Sequence, residues 1–554
     1  MIDLILHNGV LLTQSAPMPQ SQAVAVTNGR VIAVGSDHDV MALGGPGTRR
    51  VDLGGATLVP GFIDAHAHIW KIGHLLTTMV DLRHVRSLGE LESVVRHSVA
   101  SLAPGAWLLG RGFNEADLAE GRLPNRADLD RAVADRPVVL TRTCGHIYAV
   151  SSVALERCGI TRDTVAPFGG VIERGPDGEP TGVLHETAMG LVNVHLPPPS
   201  ASDYAAMITA ALGHQLTLGI TSTNDAGVAP ALLEVYRCMD AEHALPSRVN
   251  VMALRKVEGV GAVPLAEMMV SDFLRIDTVK FLADGGMSGA TAALSVPYRH
   301  RDTCGVLRFA EDELLELARE AHAAGWRIAT HAIGDVAIEQ VLRVYEAISA
   351  GSHEAISAGS HEAISAGSHE AISADSHTAI SAGSKRHRIE HLGLPSADHL
   401  ARAARLGVIA VPQSVFLHAL GRNFRAYLPD ALLPRTYPLR DMLTAGLTIA
   451  LSSDAPVVEN DNPFRGIQSA IDRLDGDGVA IAATQSITVA EALYAYTMGG
   501  ALASGDEDNR GSIAVGKWAD FAVLSGNPLT TPTHAIAALV VDRTYLAGRL
   551  VFER

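Results

Sequence analysis

The sequence predicts a (β/α)8 (TIM) barrel accompanied by a small sheet domain built from both chain ends. Two observations predict it. Eight short, apolar, β-branched runs alternate with helical patterns through the middle of the chain. The two ends instead share an all-β texture rich in turns. A doubly wound sheet would produce a similar alternation.

The ends read as one composite β-sandwich, residues 1–57 and 506–554, around a barrel spanning 58–505. In the first part, LILHNGVLLT and QAVAVTNGRVIAVGSD carry Asn-Gly pairs at 8–9 and 28–29, which are hairpin signals. In the last part, GSIAVGKWADFAVLSG and ALVVDRTYLAGRLVFER have the same texture. Between them the strands are, in order, LVPGFIDAHAH (58–68), GITSTNDAG (219–227), SRVNVMALR (247–255), DTVKFLADGG (277–286), WRIATHAIGD (326–335), HRIEHLGL (387–394), GVIAVPQSV (407–415) and LTIALSSDAP (447–456). Helical patterns such as EDELLELAREAHAAG (311–325) and ADHLARAARLG (397–407) separate them. Residues 74–215 are too many for a loop after strand one. They read as an inserted subdomain capping the barrel mouth.

One stretch stands apart. From Ala347 to Arg386 the octad AISAGSHE recurs with small variations. Eight residues at about 100° each overshoot two helical turns by about 80°, so the isoleucines spiral and form no single apolar face. Two serines and usually a glycine per octad also disfavour a helix. The stretch reads as a tandem expansion in a mobile surface loop on the bottom of the barrel. Its repeated His353, His361, His369 and His377 read as copies carried along with the repeat.

Composition excludes several classes. A formal net charge of −16 argues against a nucleic-acid partner. No apolar run is long enough to span a membrane, and the N-terminus lacks the basic start of a signal peptide. Four scattered cysteines without a CxxC pair fit a reducing cytoplasm better than a disulfide framework.

Barrel enzymes work at the C-terminal ends of their strands. Those ends hold His66 and His68 (strand one), Lys280 (four), His331 (five), His391 (six) and Asp454 (eight). His66 and His68, two apart on a strand, point to one side. Imidazole and carboxylate ligands suit zinc and also iron, manganese or nickel. Asp454 is placed to accept a proton from a water acidified by such an ion. Lys280 as an ammonium would repel a cation; it reads either as an ion-pair partner of Asp284 or, as a carbamate, as a bridge between two metals.

The set FIDAHAH, VKFLADGG, THAIGD, HRIEH and SSDAP, with the tail GSIAVGKWADFAVL, resembles the amidohydrolase superfamily, and within it the amidohydrolase-3, YtcJ-like branch. The resemblance covers nearly the whole chain outside the octads. It implies a metal-bearing barrel beside a composite β-sandwich, and hydrolysis of C–N bonds in amides, formamides, cyclic imides or ureas. By motif it implies His66, His68, His331 and His391 as metal ligands, Asp454 as ligand and base, and Lys280 as a carboxylated bridge between two zinc or other divalent ions. In the insert, RTCGHIYAVSSVALERCGI departs from the family's Arg-x-Asp-Gly-His and Asn-Ser, with Cys144 and Ser151 in place of the acid and the asparagine. His146 and Arg142 are kept and read as substrate contacts, and Cys144 as a structural cysteine. The resulting expectation is a cytoplasmic hydrolase of a small amide-like molecule, related to the N-substituted formamide deformylases, with a homodimer as a family-level expectation. A one-metal deaminase and a non-catalytic metal-binding regulator are the alternatives.

Overall fold

The computed structural model describes every residue except 1, 17, 101, 104, 258–259, 364–385 and 459, and the backbone alone over 351–363. Its centre is a curled sheet of eight parallel strands: β1 (Phe62–Ala67), β2 (Ile220–Val228), β3 (Arg248–Leu254), β4 (Leu274–Leu282), β5 (Arg327–Ala332), β6 (Arg388–His391), β7 (Ile409–Val411) and β8 (Thr448–Ile449). Each pairs in parallel with the next in chain order. An order without reversal is that of a barrel and not of a doubly wound sheet. The chain beyond β8 returns to β1 at the rim, where Asp454 N donates to His66 O and His68 N to Ala455 O, both at 2.8 Å.

Helices cover the outside of the sheet because parallel strands bury both faces. Helix Ala201–Thr217 starts at Ser200, which exchanges capping bonds with Asp203. It packs on helix Ile69–Thr77, which leaves β1 directly behind His68. At their crossing a Cβ on Gly73 would stand 1.8 Å from Met207 O, so only glycine fits. The barrel interior is polar. Arg388 is fully buried and donates to Glu390 at 2.8 and 2.9 Å, to Ala65 O at 2.6 Å and to Asn224 Oδ1 at 3.0 Å.

Both chain ends enter one six-stranded sheet, in which Phe521–Leu524 pairs antiparallel with Thr57–Pro60. The run expected as the first barrel strand is therefore two strands. Thr57–Pro60 belongs to the terminal sheet, and the chain crosses to β1 at Gly61, where a side chain would collide with Thr221. A buried bond ties this sheet to the barrel. Arg248 at the base of β3 donates to Asp520 at 2.7 and 3.1 Å, with its guanidinium 4.4 Å from the Trp518 ring.

Within the insert, a six-stranded sheet runs from Val80–Asp81 to Gly170–Arg174 and carries its own core, with Leu82, Leu91 and Phe113 fully buried. The turn between Val138–Arg142 and Ile147–Val150 brings His146 over the barrel mouth.

The octads differ from expectation. Helix Asp335–Ala363 continues from β5 through the first two octads instead of stopping before them. It is launched by a well-packed amphipathic first half, in which Ile338, Val341, Leu342 and Tyr345 are buried, and backbone hydrogen bonding carries it on despite poor propensity. The later octads, with His369 and His377, and the side chains of His353 and His361 lie outside the described residues.

Removing the Asp520 carboxylate strands the buried Arg248 charge. Asp520→Ala is expected to destabilise the protein by about 3–5 kcal/mol, read as a large drop in the midpoint of denaturant unfolding.

Candidate metal centre

The strand ends converge. His66, His391 and Asp454 are all buried, and their ligand atoms lie within 4.8 Å of one another. His68 joins from the start of the helix after β1, its Nε2 3.1 Å from Asp454 Oδ1, while His66 Nε2 is 3.4 Å from that same oxygen.

Hydrogen bonds behind the rings decide which nitrogens face inward. His66 Nδ1 donates to Glu390 Oε2 at 2.5 Å. The Gln413 amide nitrogen is committed to Val411 O and Ser452 Oγ, so its Oε1 accepts from His391 Nδ1 at 2.6 Å. Both rings therefore turn a bare Nε2 toward the centre. Burial lowers the pKa of His66 well below the usual histidine value and that of His391 to about 3, so neither ring carries a second proton. Burial likewise takes His68 to about 4 and His331 to about 3. For Asp454 burial favours protonation, while its contacts with His66, His68 and His391, a poorly aligned His68 hydrogen bond among them, favour the carboxylate and keep it below the usual range. Its Oδ1 lies 3.1 Å from His68 Nε2 and 3.4 Å from His66 Nε2, with no well-aligned hydrogen bond among the described residues. The His66 Nε2 lone pair and Asp454 Oδ1 thus face each other, 3.4 Å apart, in a buried site. A divalent cation fits this donor set.

Backbone strain helps to place the ligands. His391 (φ 70°) and Asp454 (φ 56°) both adopt left-handed conformations, costing about 1–3 kcal/mol each.

The remaining expected residues divide. His331 sits with its ring 4.3 Å from that of His391, but its Nε2 donates to Gly285 O at 3.2 Å and it stands outside the tight group. Lys280 is fully buried on β4 and its Nζ has no hydrogen-bond partner among the described residues. The expected alternative, an ion pair with Asp284, does not form, because Asp284 accepts from the backbone of Ala293, Ile333 and Gly334 at 2.8–3.0 Å. Burial lowers the Lys280 pKa to about 8, against the opposing pull of Glu390 and Asp454.

His146 lines the cavity above the centre together with His331, His391 and Asp454. Its Nδ1 bonds Glu186 Oε2 at 2.8 Å. Burial alone would raise Glu186, but His146 and Arg308 hold it down to about 2. Glu186 also sits in a strained backbone conformation, φ 51° and ψ −126°. Arg142 is not among the residues that line the cavity. Its guanidinium is fully buried and engaged by Glu115, Asn114 and Ser288 at 2.7–3.2 Å. Ser151 caps helix Ser152–Arg157, and Cys144 lines the cavity as a buried thiol.

Sequence reasoning missed Glu390, Gln413, Glu186 and the apolar wall. Phe416, Leu420 and Phe424, spaced by four on helix Val415–Tyr427, present one face to the cavity. That spacing was a readable signal.

Comparison with known proteins gives the family and the fold. The model of a family described as the amidohydrolase family matches residues 49–552. The chain belongs to the amidohydrolase family. YtcJ of Bacillus subtilis (strain 168) is 30% identical to this amidohydrolase over 565 residues, covering 99% of each chain. The N-substituted formamide deformylase of Arthrobacter pascens is 29% identical over 581 residues, covering 100% of this chain and 99% of its own. Among solved structures, an uncharacterized metal-dependent hydrolase of Pyrococcus horikoshii OT3 superposes with a TM-score of 0.73 at 24% identity, over 96% of this chain and 99% of its own. Among the described residues of this amidohydrolase, no helix is long and apolar enough to cross a membrane.

Ligand orientation depends on Gln413. Gln413→Leu is expected to weaken metal retention about 10–100-fold, measured by chelator competition; unchanged retention would show that His391 needs no such support.

Proposed function

We propose that this amidohydrolase is a metal-dependent hydrolase of a C–N bond in a small amide, formamide or cyclic-imide-like molecule. One observation carries the reading: bare lone pairs of His66, His391 and Asp454 converge beside a cavity with an apolar wall. The formamide deformylase of Arthrobacter pascens supports the narrower version, a formamide bearing an apolar N-substituent.

His66, His68, His391 and Asp454 would hold a divalent ion such as zinc, with His331 as a further ligand. When bound, it supplies Lewis acidity to water and to a carbonyl oxygen. The protein's own groups do the rest. A carboxylate oxygen of Asp454 takes a proton from the attacking water and returns it to the departing nitrogen, so amide and water become carboxylic acid and amine. Phe416, Leu420 and Phe424 hold the apolar substituent and exclude bulk water. His146, oriented by Glu186, presents its other nitrogen to substrate at the mouth.

Lys280 belongs to the same reading. A buried amine without a hydrogen-bond partner among the described residues, its pKa lowered to about 8, readily exposes the lone pair that adds carbon dioxide as the amine gives up its proton. The resulting carbamate would help to hold a second ion.

The test combines elemental analysis with a screen of formamides, N-acyl compounds and cyclic imides. Metal-stripped protein is expected to lose turnover and regain it on adding a divalent metal. Asp454→Asn should lose about 10²–10⁴-fold in kcat while still binding metal, and Lys280→Ala should hold less metal than wild type. Full activity without metal sinks the reading. Ammonia release without a carboxylic acid product would identify a deaminase instead.

A further inference from the structure

Tyr437 takes no part in the ligand set or the proton transfer above, yet it lines the same cavity as His146, His391 and Asp454. Its ring is fully buried, edge-on to Phe416 with centroids 6.2 Å apart and tilted against Phe424 at 6.3 Å. Its backbone is held left-handed, at φ 44°, by three bonds: Tyr437 N donates to Gly393 O at 2.8 Å, Leu439 N donates to Tyr437 O at 2.9 Å, and Arg473 donates to that carbonyl at 3.1 Å. Despite this fixation, the hydroxyl has no hydrogen-bond partner among the described residues.

A phenol stripped of water with nothing in return is unfavourable, and so is a left-handed tyrosine. A fold that keeps both holds an unspent hydrogen-bond group at the wall of its reactive cavity. Burial, and then the negative charges of Asp454 and Asp284, push the Tyr437 pKa well above the usual phenol value. The hydroxyl therefore stays protonated and acts as a donor.

We propose that Tyr437 Oη donates a hydrogen bond to the acyl oxygen of the substrate. This rests on the hydrolase reading of the site. As water adds to the carbonyl carbon, the C=O π pair moves onto oxygen, and a preorganised neutral donor there stabilises the growing charge more than it stabilises the resting carbonyl. The cavity thereby favours substrates that carry a carbonyl oxygen over amines or halides of similar shape.

Tyr437→Phe removes only this hydroxyl and breaks no bond within the protein. In the metal-free protein its melting temperature should equal or exceed that of wild type; a lower value would mean that the hydroxyl is structural and would overturn the proposal. In the metal-loaded protein, metal content should be unchanged. Affinity for acetate, a mimic of the acyl product, should fall about tenfold by calorimetry. On any amide that wild type hydrolyses, kcat should fall about 10²–10³-fold with little change in KM. Unchanged acetate affinity, including no measurable binding to either protein, or unchanged kcat would overturn it. If wild type hydrolyses no amide at all, the hydrolase reading fails, while the acetate and melting measurements still judge Tyr437.

Discussion

Two nitrogen lone pairs and a buried carboxylate that face one another are stabilised by a positive charge held between them. That constraint organises the centre of this amidohydrolase. Glu390 and Gln413 remove the alternative by occupying the outer nitrogens of His66 and His391. Burial removes another, since neither ring can afford a second proton where its charge would be desolvated. What remains is a preformed set of donors suited to a divalent ion.

The rest of the fold serves that arrangement. Buried Arg388 pairs with Glu390, the carboxylate behind His66, at 2.8 and 2.9 Å. The rim joins where Asp454 N bonds His66 O, which fixes base and ligand relative to one another through the backbone and not only through side chains. Left-handed conformations at His391, Asp454, Tyr437 and Glu186 concentrate strain around a single cavity. The surrounding barrel, its helices and the buried Arg248–Asp520 tie to the terminal sheet hold that strain in place. The insert adds His146 from above and makes the cavity a space between two subdomains, a common situation for ligand sites.

The order and type of the barrel strands were legible because each is a short apolar run ending in a chemically distinctive residue. The break inside 58–68 was not, because Gly61 between two β-branched segments looks like continuous strand until the terminal sheet claims Thr57–Pro60. Alternation along a strand sends neighbours to opposite faces, so Glu390, adjacent to His391, reads as facing away. The positive φ of His391 breaks that alternation and lets both residues reach His66. A motif preserves residue identity but cannot reveal that the Arg142 guanidinium is buried against Glu115 and Ser288. Lys280 could not be assigned because Asp284, four residues on, offered a plausible partner. Only the fold shows that carboxylate bonded by three backbone amides instead. Tyr437 carries no motif at all; its meaning lies in an unsatisfied hydroxyl, which is a property of three-dimensional packing.

The most direct measurement is anomalous diffraction at the zinc edge from crystals of zinc-loaded protein. A strong peak within coordinating distance of His66 Nε2, His391 Nε2 and Asp454 is the predicted result. A peak elsewhere, with those three side chains hydrogen-bonded to ordered water in an ion-free centre, would contradict the account.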